Sequence, residues 1–315
     1  MSLKKLMYNM LVIITAFTIF VLWYNHIKKE ETLPLSTTNQ NYHIYLITNE
    51  RQAQFWHNLN QGVSDMASLL GLTYTWEASN LSNAEQQLAL FNDAVNNGAQ
   101  AILISVIDSE SLSEPIKNAK AKGIKIIYVN TPAKEKGIIT LSTDNYSAGK
   151  IAATNMIEEL ELRRLGTGKI GIVSLLSNTT INDREKGFTD VIKEDGRFTV
   201  LDPVYLQGDP ALAQSEAERI IQEHPDLVGL FGSNEETSVG VGYAIKADDN
   251  KITGIGFDKS DITMKLLQED SLKAIINQNP YTMGYLGMAE AYASLKEYNT
   301  GPAYLDTGVS VIKKR

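Results

Sequence analysis

Between residues 226 and 260 of this 315-residue chain, a short apolar β-type run twice ends in a polar residue just before a helical pattern begins. Asn234 follows the run 227–231, and Asp258 follows the run 252–257. A carboxamide and a carboxylate are hydrogen-bonding groups for a polar ligand, and in an open α/β sheet such ligands bind outside the carboxyl ends of the parallel strands. The same reading picks out Ser105 and Asp108 at the close of the run 101–107, Asn130 after 124–129, and Arg184 beyond 169–175. On spacing alone, Arg184 is either a ligand contact or a solvated helix residue. Phe55 and Trp56 open a helical pattern just after the first β-type run. They serve either as helix packing or as a surface for a ligand, and two adjacent aromatics cannot both face the core of one helix.

Chemistry that would turn a ligand over has little support. Gly166-Thr-Gly-Lys-Ile-Gly171 matches the dinucleotide fingerprint letter for letter, but its glycines precede a strand instead of joining a strand to a helix. The four histidines, His26, His43, His57 and His224, lack metal-ligand spacing, and no nucleophile elbow appears. Asp258 with Glu235 is the only candidate catalytic pair. The sequence predicts a binding protein without cofactor or metal.

The elements that must position these residues alternate with little interruption. Strands are predicted at 44–48, 72–76, 101–107, 124–129, 169–175, 198–205, 227–231, 252–257, 272–276 and 310–312. Helices are predicted at 55–70, 82–95, 115–121, 146–162, 183–192, 210–222 and 281–295. In the first helix Leu59, Val63, Met66, Ala67 and Leu70 share a face before Gly71 stops it. Ser82 reads as the N-cap of the second, with Glu85 completing a capping box. So many βα units mean a doubly wound parallel α/β fold, and their number exceeds one sheet, so two lobes with a cleft between them are expected.

A net charge of −8 leaves no basic surface for phosphates, so nucleic acid is excluded as a partner. Cysteine is absent, which excludes disulfides and a lipidated cysteine. Residues 6–24 carry no charged side chain and follow Lys4 and Lys5. At helical rise they reach roughly 28 Å, enough to cross a bilayer. Trp23 and Tyr24 suit the outer interface. The reading is an uncleaved single-pass anchor with an extracytoplasmic globular part, the alternative being a cleaved signal peptide. Residues 30–41 read as a flexible stalk.

From His43 onward the chain resembles the type I periplasmic sugar-binding proteins, the superfamily of ribose-binding proteins and LacI effector domains. The resemblance rests on the order and spacing of Phe55-Trp56, Ser142-Thr-Asp-Asn145, Asp183-Arg-Glu-Lys-Gly-Phe188, His224-Pro-Asp226, Phe231-Gly-Ser-Asn-Glu235, Gly256-Phe-Asp258 and Asn277-Gln278. It implies that Phe55 and Trp56 sandwich a pyranose ring, that Asn49 and Ser105 hold sugar hydroxyls from one lobe, and that Arg184, Asn234, Asp258 and Gln278 hold them from the other lobe and the hinge. Where ribose binders place Asp-Arg, this chain has Asn130-Thr131, and the position of the aromatic that stacks from their C-lobe falls here near Gly208. The implied ligand is therefore a monosaccharide other than ribose, an aldose such as the pentose xylose.

The family fold implies two doubly wound parallel-sheet lobes joined by a three-segment hinge near Asp144, Gln278 and Leu305. On this reading residues 1–29 are the membrane anchor, 30–41 the stalk, 42–144 with 279–304 the N-terminal lobe, and 145–278 with 305–315 the C-terminal lobe. Closure around the sugar would signal to a membrane partner such as a sensor histidine kinase. The alternative is a substrate receptor for the permease of an ABC sugar importer. LacI-type repressors carry a DNA-binding segment where this chain has its apolar run.

Overall fold

The computed structural model describes residues 42–80, 82–175, 179–298 and 300–314, with residues 15, 17–20, 23 and 24 of the N-terminal stretch. The stalk and most of the expected anchor lie outside the described residues. Among the described residues no helix is long and apolar enough to cross a membrane.

Strands β1 (Ile44–Thr48), β2 (Thr75–Ala78), β3 (Ala101–Ile104), β4 (Lys125–Val129), β5 (Ile139–Ser142) and β12 (Tyr304–Asp306) form one parallel sheet in the order β12-β5-β4-β3-β1-β2. A second sheet holds β6 (Gly168–Leu175), β7 (Phe198–Val200), β8 (Val204–Leu206), β9 (Leu227–Gly232), β10 (Thr253–Phe257), β11 (Ala274–Gln278) and β13 (Val309–Lys313). Its order is β13-β11-β10-β9-β6-β7, with β8 also on β6 and β13 antiparallel to β11. Continuous apolar strands such as Ala101–Ile104, buried throughout, reflect helices on both sheet faces.

Those helices are α1 (Gln54–Leu70), α2 (Ala84–Asn96), α3 (Ser113–Ala121), α4 (Asn145–Leu162), α5 (Thr179–Asp195), α6 (Pro210–Glu223), α7 (Glu235–Ala247), α8 (Asp261–Gln268) and α9 (Pro280–Leu295). Two helix pairs are packed at glycine. A Cβ on Gly149 of α4 would collide with the carbonyl of Arg184 in α5, and one on Gly187 with that of Tyr146. In the first lobe, Gly62 of α1 and Gly284 of α9 meet the carbonyls of Tyr281 and Leu59 in the same reciprocal way. The backbones approach more closely than any other residue permits, which fixes where α5 carries Arg184 and where α1 carries Phe55 and Trp56.

Several expected boundaries shift for local reasons. The second strand starts at Thr75 instead of residue 72, because the Leu72 amide donates to the Ala67 carbonyl and closes α1 behind left-handed Gly71. Asn83, not Ser82, caps α2, accepting from the Gln86 amide at 2.8 Å, while Ser82 sits at φ 53°. The strand expected at 198–205 is two strands separated by Asp202-Pro203, since proline has no N–H for the ladder. Sequence patterning missed the short strands β5 and β12.

The chain passes between sheets three times: from β5 into α4, from β11 into α9, and from β12 into β13. Leu305 and Asp306, expected in the C-terminal lobe, pair with Leu141 and Ser142 in the N-terminal sheet, so the third crossing lies at Thr307-Gly308. The crossings are tied together. Asp306 Oδ1 accepts from the amides of Asp144 (3.0 Å) and Gly308 (2.8 Å), and Asn279 Nδ2 donates to the carbonyls of Thr307 (2.6 Å) and Gly308 (3.1 Å).

Candidate functional site

All strands of a parallel sheet present their carboxyl ends at one edge, and here the two such edges face each other across a cavity. It is lined by Asn49, Phe55, Trp56 and Asn130 from the first lobe and by Leu175, Arg184, Asn234, Glu235, Glu236, Asp258 and Gln278 from the second and the hinge, with Ala53, Ser82, Thr180 and Ile181 filling the wall. About 60 Å³ is open to water centres.

Two of the strand ends turn through an unusual backbone. Asn130 (φ 79°) and Asp258 (φ 64°) are in the left-handed region, which Asn and Asp tolerate better than other non-glycine residues. The Asp258 amide donates to the Ile276 carbonyl and the Asn130 amide to the Leu141 carbonyl, both at 2.8 Å, so each bend is held by the neighbouring strand.

Arg184 is 3 % exposed and anchors the second lobe's wall. Its Nη1 donates to the Ser233 carbonyl, its Nη2 to Asn145 Oδ1 at 2.7 Å, and its guanidinium lies 3.6 Å over the Phe257 ring. Burial lowers its pKa to about 10, against the opposing pull of Asp258 and then Glu185. Asp258 is buried and accepts from Gln278 Nε2 at 2.9 and 3.2 Å. Burial pushes its carboxyl up, with Arg184 the largest counterweight.

Among the described residues, three polar atoms of this lining are buried without a hydrogen-bond partner: Asn49 Oδ1, Arg184 Nε and Gln278 Oε1. Leaving one such group unpaired costs about 1–3 kcal/mol. Two acceptors and one donor on residues that line the cavity match a ligand whose groups both donate and accept.

The remaining sequence candidates fare differently. Asn234 lines the cavity, but its Oδ1 caps α7 by accepting from the Thr237 amide at 3.1 Å, and its Nδ2 donates to Glu236. Ser105 and Asp108 do not reach the cavity wall. Ser105 is fully buried behind Asn130, whose Nδ2 donates to its Oγ at 3.4 Å, and exposed Asp108 accepts from the Glu110 amide in a turn. Phe55 and Trp56 both line the cavity, yet their rings meet edge to face at 81° with centroids 4.8 Å apart. They pack on each other, so no pyranose fits between them as a sandwich.

Sequence reasoning passed over three carboxylates here, having weighed Glu235 only as a catalytic partner. Glu235 crosses the cleft to accept from the amides of Gln54 (3.0 Å) and Phe55 (2.9 Å), and burial raises its pKa to about 7. Glu50 accepts from the amides of Gln52 and, at 2.9 Å, Ala53, with burial again raising its pKa. Half-buried Glu236 is pushed by burial to about 8. A Cβ on Gly208 would lie 3.9 Å from Glu236 Oε1, so Glu236 borders the space near the position of the aromatic in ribose binders. The one available signal was the acidic pair itself at the start of α7, where a helix N-terminus favours negative charge.

Two parallel-sheet lobes, three crossings and a cavity of unpaired polar atoms between strand ends define a protein that encloses a small polar ligand. The chain belongs to the periplasmic binding protein family: the family model described as a periplasmic binding protein domain matches residues 44–299. It is similar to the ribose import binding protein of Bacillus subtilis, at 25% identity over 270 residues, 84% of this chain and 81% of that one. Among solved structures it resembles a carbohydrate transporter solute binding protein from Agrobacterium radiobacter in complex with D-arabinose, with TM-score 0.84, 27% identity and coverage of 88% of this chain and 96% of that one. An ABC transporter solute binding protein from Agrobacterium vitis with bound D-fucose gives TM-score 0.81 and 29% identity, covering 86% of this chain and 95% of that one.

Proposed function

We propose that this protein binds one aldose monosaccharide outside the cytoplasm, a pentose such as xylose or arabinose, in the cavity between its lobes. The observation that carries the reading is the trio of unpaired buried atoms, Asn49 Oδ1, Arg184 Nε and Gln278 Oε1, in a polar cavity contributed by both lobes. A sugar hydroxyl donates and accepts at once, so one small polyol satisfies all three. Space for water centres of about 60 Å³ corresponds to a handful of waters at roughly 10–15 Å³ each, which suits one sugar ring and not two. Contacts with both lobes favour the closed form by differential binding.

The bound sugar would be handed to the permease of an ABC importer, a role supported by relatives named as import and ABC transporter binding proteins. A second reading rests on the sequence. Residues 6–24 are uncharged and the chain has no cysteine for a lipid, which favours a membrane-anchored sensor whose closed form engages a sensor kinase.

The test is calorimetric titration of the full chain with D-xylose, D-arabinose, D-ribose, D-fucose and a disaccharide. Tight one-to-one binding of an aldose, with the disaccharide silent, supports the reading. Silence from every monosaccharide sinks it.

A further inference from the structure

Four successive amides, Gln52 to Phe55, of which the last two open α1, are satisfied by two carboxylates, one from each lobe. Gln52 and Ala53 donate to Glu50 of the same lobe, while Gln54 and Phe55 donate to Glu235, 180 residues from Phe55 along the chain, at 3.0 and 2.9 Å. The first amides of a helix have no intrahelical partner, so Glu235 supplies what α1 cannot supply itself, where the helix dipole favours a negative charge. The return contact runs the other way: Gln54 Oε1 accepts from the amide of Asp261, the first residue of α8, at 2.9 Å. Each lobe thus caps a helix of the other, directly beside the cavity.

We propose that Glu235 is a positioning residue for ligand capture: acting across the cleft, its carboxyl holds the first turn of α1, and with it Phe55 and Trp56, against the cavity. The inference rests on the sugar-binding reading of that cavity. Glu235 acts through backbone amides and holds the lobes only when they are closed.

The groups facing it are almost all acidic. Glu50 comes from the loop before α1, Asp258 from the end of β10 and Glu236 from its own helix. Arg184 of α5 acts electrostatically on Asp258, and His57 of α1 acts on Glu50. Closing the cleft removes water from Glu235 and brings Glu50 near; with Asp258 of its own lobe, these outweigh the two amide bonds and leave its pKa at about 7. In the open form the carboxyl returns toward its ordinary value. The closed form therefore binds the proton more tightly, and closure takes up protons. Ligand affinity rises as pH falls from 8 toward 5, and Glu235→Gln, a neutral stand-in, is less sensitive to pH across that window.

Two measurements on the full chain test this. Hydrogen exchange resolved at single amides, with and without D-arabinose, reads Gln54 and Phe55 directly. Glu235→Ala should free those two amides while the interior of α1 stays protected, and Glu235→Gln should restore part of the protection. Equal exchange at Gln54 and Phe55 in wild type and Glu235→Ala overturns the proposal. Titration with D-arabinose, D-fucose and D-ribose should show Glu235→Ala weaker by about tenfold to a hundredfold. It should also show a wild-type affinity that climbs toward acid and a shallower profile for Glu235→Gln. Unchanged affinity in Glu235→Ala, or identical pH slopes in wild type and Glu235→Gln, refutes the positioning role. If wild type binds none of these sugars, the sugar assignment fails, and exchange at the two amides still decides the latch.

Discussion

Arg184→Ala is the most informative substitution, because the side chain serves fold and ligand together. Truncation removes the bonds to the Ser233 carbonyl and Asn145 Oδ1, the stacking on Phe257 and the unpaired Nε. It also leaves the buried Asp258 carboxyl without the positive charge that most opposes the rise of its pKa. Losing two charge-assisted hydrogen bonds of a buried guanidinium costs about 3–5 kcal/mol, at roughly 1.5–3 kcal/mol per bond. At about 2–4 °C per kcal/mol for a large domain, the melting temperature should fall by roughly 6–20 °C. The sign of the pH dependence follows from Asp258. Burial already raises its pKa, and losing Arg184 raises it further, so the folded variant binds a proton that the unfolded chain does not. Its stability is best at acid pH and falls as pH rises, so the gap to wild type should be wide at pH 8 and narrow at pH 5. Scanning calorimetry of the full chain at both pH values, paired with D-arabinose titration, checks this. A variant that melts with wild type at pH 8, or a gap that does not change with pH, would refute the account of Arg184 as the counter-charge of Asp258.

Glu236→Gln should raise the melting temperature at pH 8.5 by several degrees and change it little at pH 5, because burial holds the Glu236 pKa near 8 and the ionised form is the costly one. An equal effect at both pH values would show that burial of the charge is not the cause. Gly149 itself lies outside the cavity lining, yet Gly149→Ala should destabilise the fold and weaken sugar binding, since its methyl displaces the carbonyl of the lining residue Arg184. Wild-type melting and affinity in that variant would mean α4 and α5 can part without moving Arg184. For the anchored reading, full-length protein expressed in a bacterium should stay with membranes through carbonate extraction, while a chain starting at residue 34 should not. Release of both would remove the sensor's premise and favour the importer reading.

The strand ends were legible because the rule behind them is geometric. In a parallel sheet every carboxyl end lies on one edge, so a polar residue following an apolar run is placed near the ligand edge without knowledge of the partner strand. Asn130 and Asp258 meet at the cavity for that reason, while Gln278 was implied only by the family resemblance. The rule overreached at Ser105 and Asp108, where β3 ends at Ile104: Ser105 is spent on Asn130, and Asp108 lies in a turn beyond it. It also said nothing of what each polar group would be doing. Asn234 reads as a ligand contact and is largely consumed by capping α7.

What the sequence determines by itself is local: the alternation of β and α periods, the capping and stop signals, and the side of the sheet on which polar strand ends collect. Those properties depend on neighbours within a few residues, and the two-lobed α/β fold follows from them. What only the tertiary structure decides is pairing across distance. Glu235 reaches Phe55 over 180 residues, Arg163 reaches Thr253 over 90, and Asp306 ties the first hinge strand to the third over 162. No period or motif encodes such a partner, because a carboxylate at a helix start has the same local sequence whether it faces water or another lobe's amides. The pKa values follow from the same contacts: burial in the closed cleft, not residue type, brings the Glu235 and Glu236 carboxyls close to neutral pH.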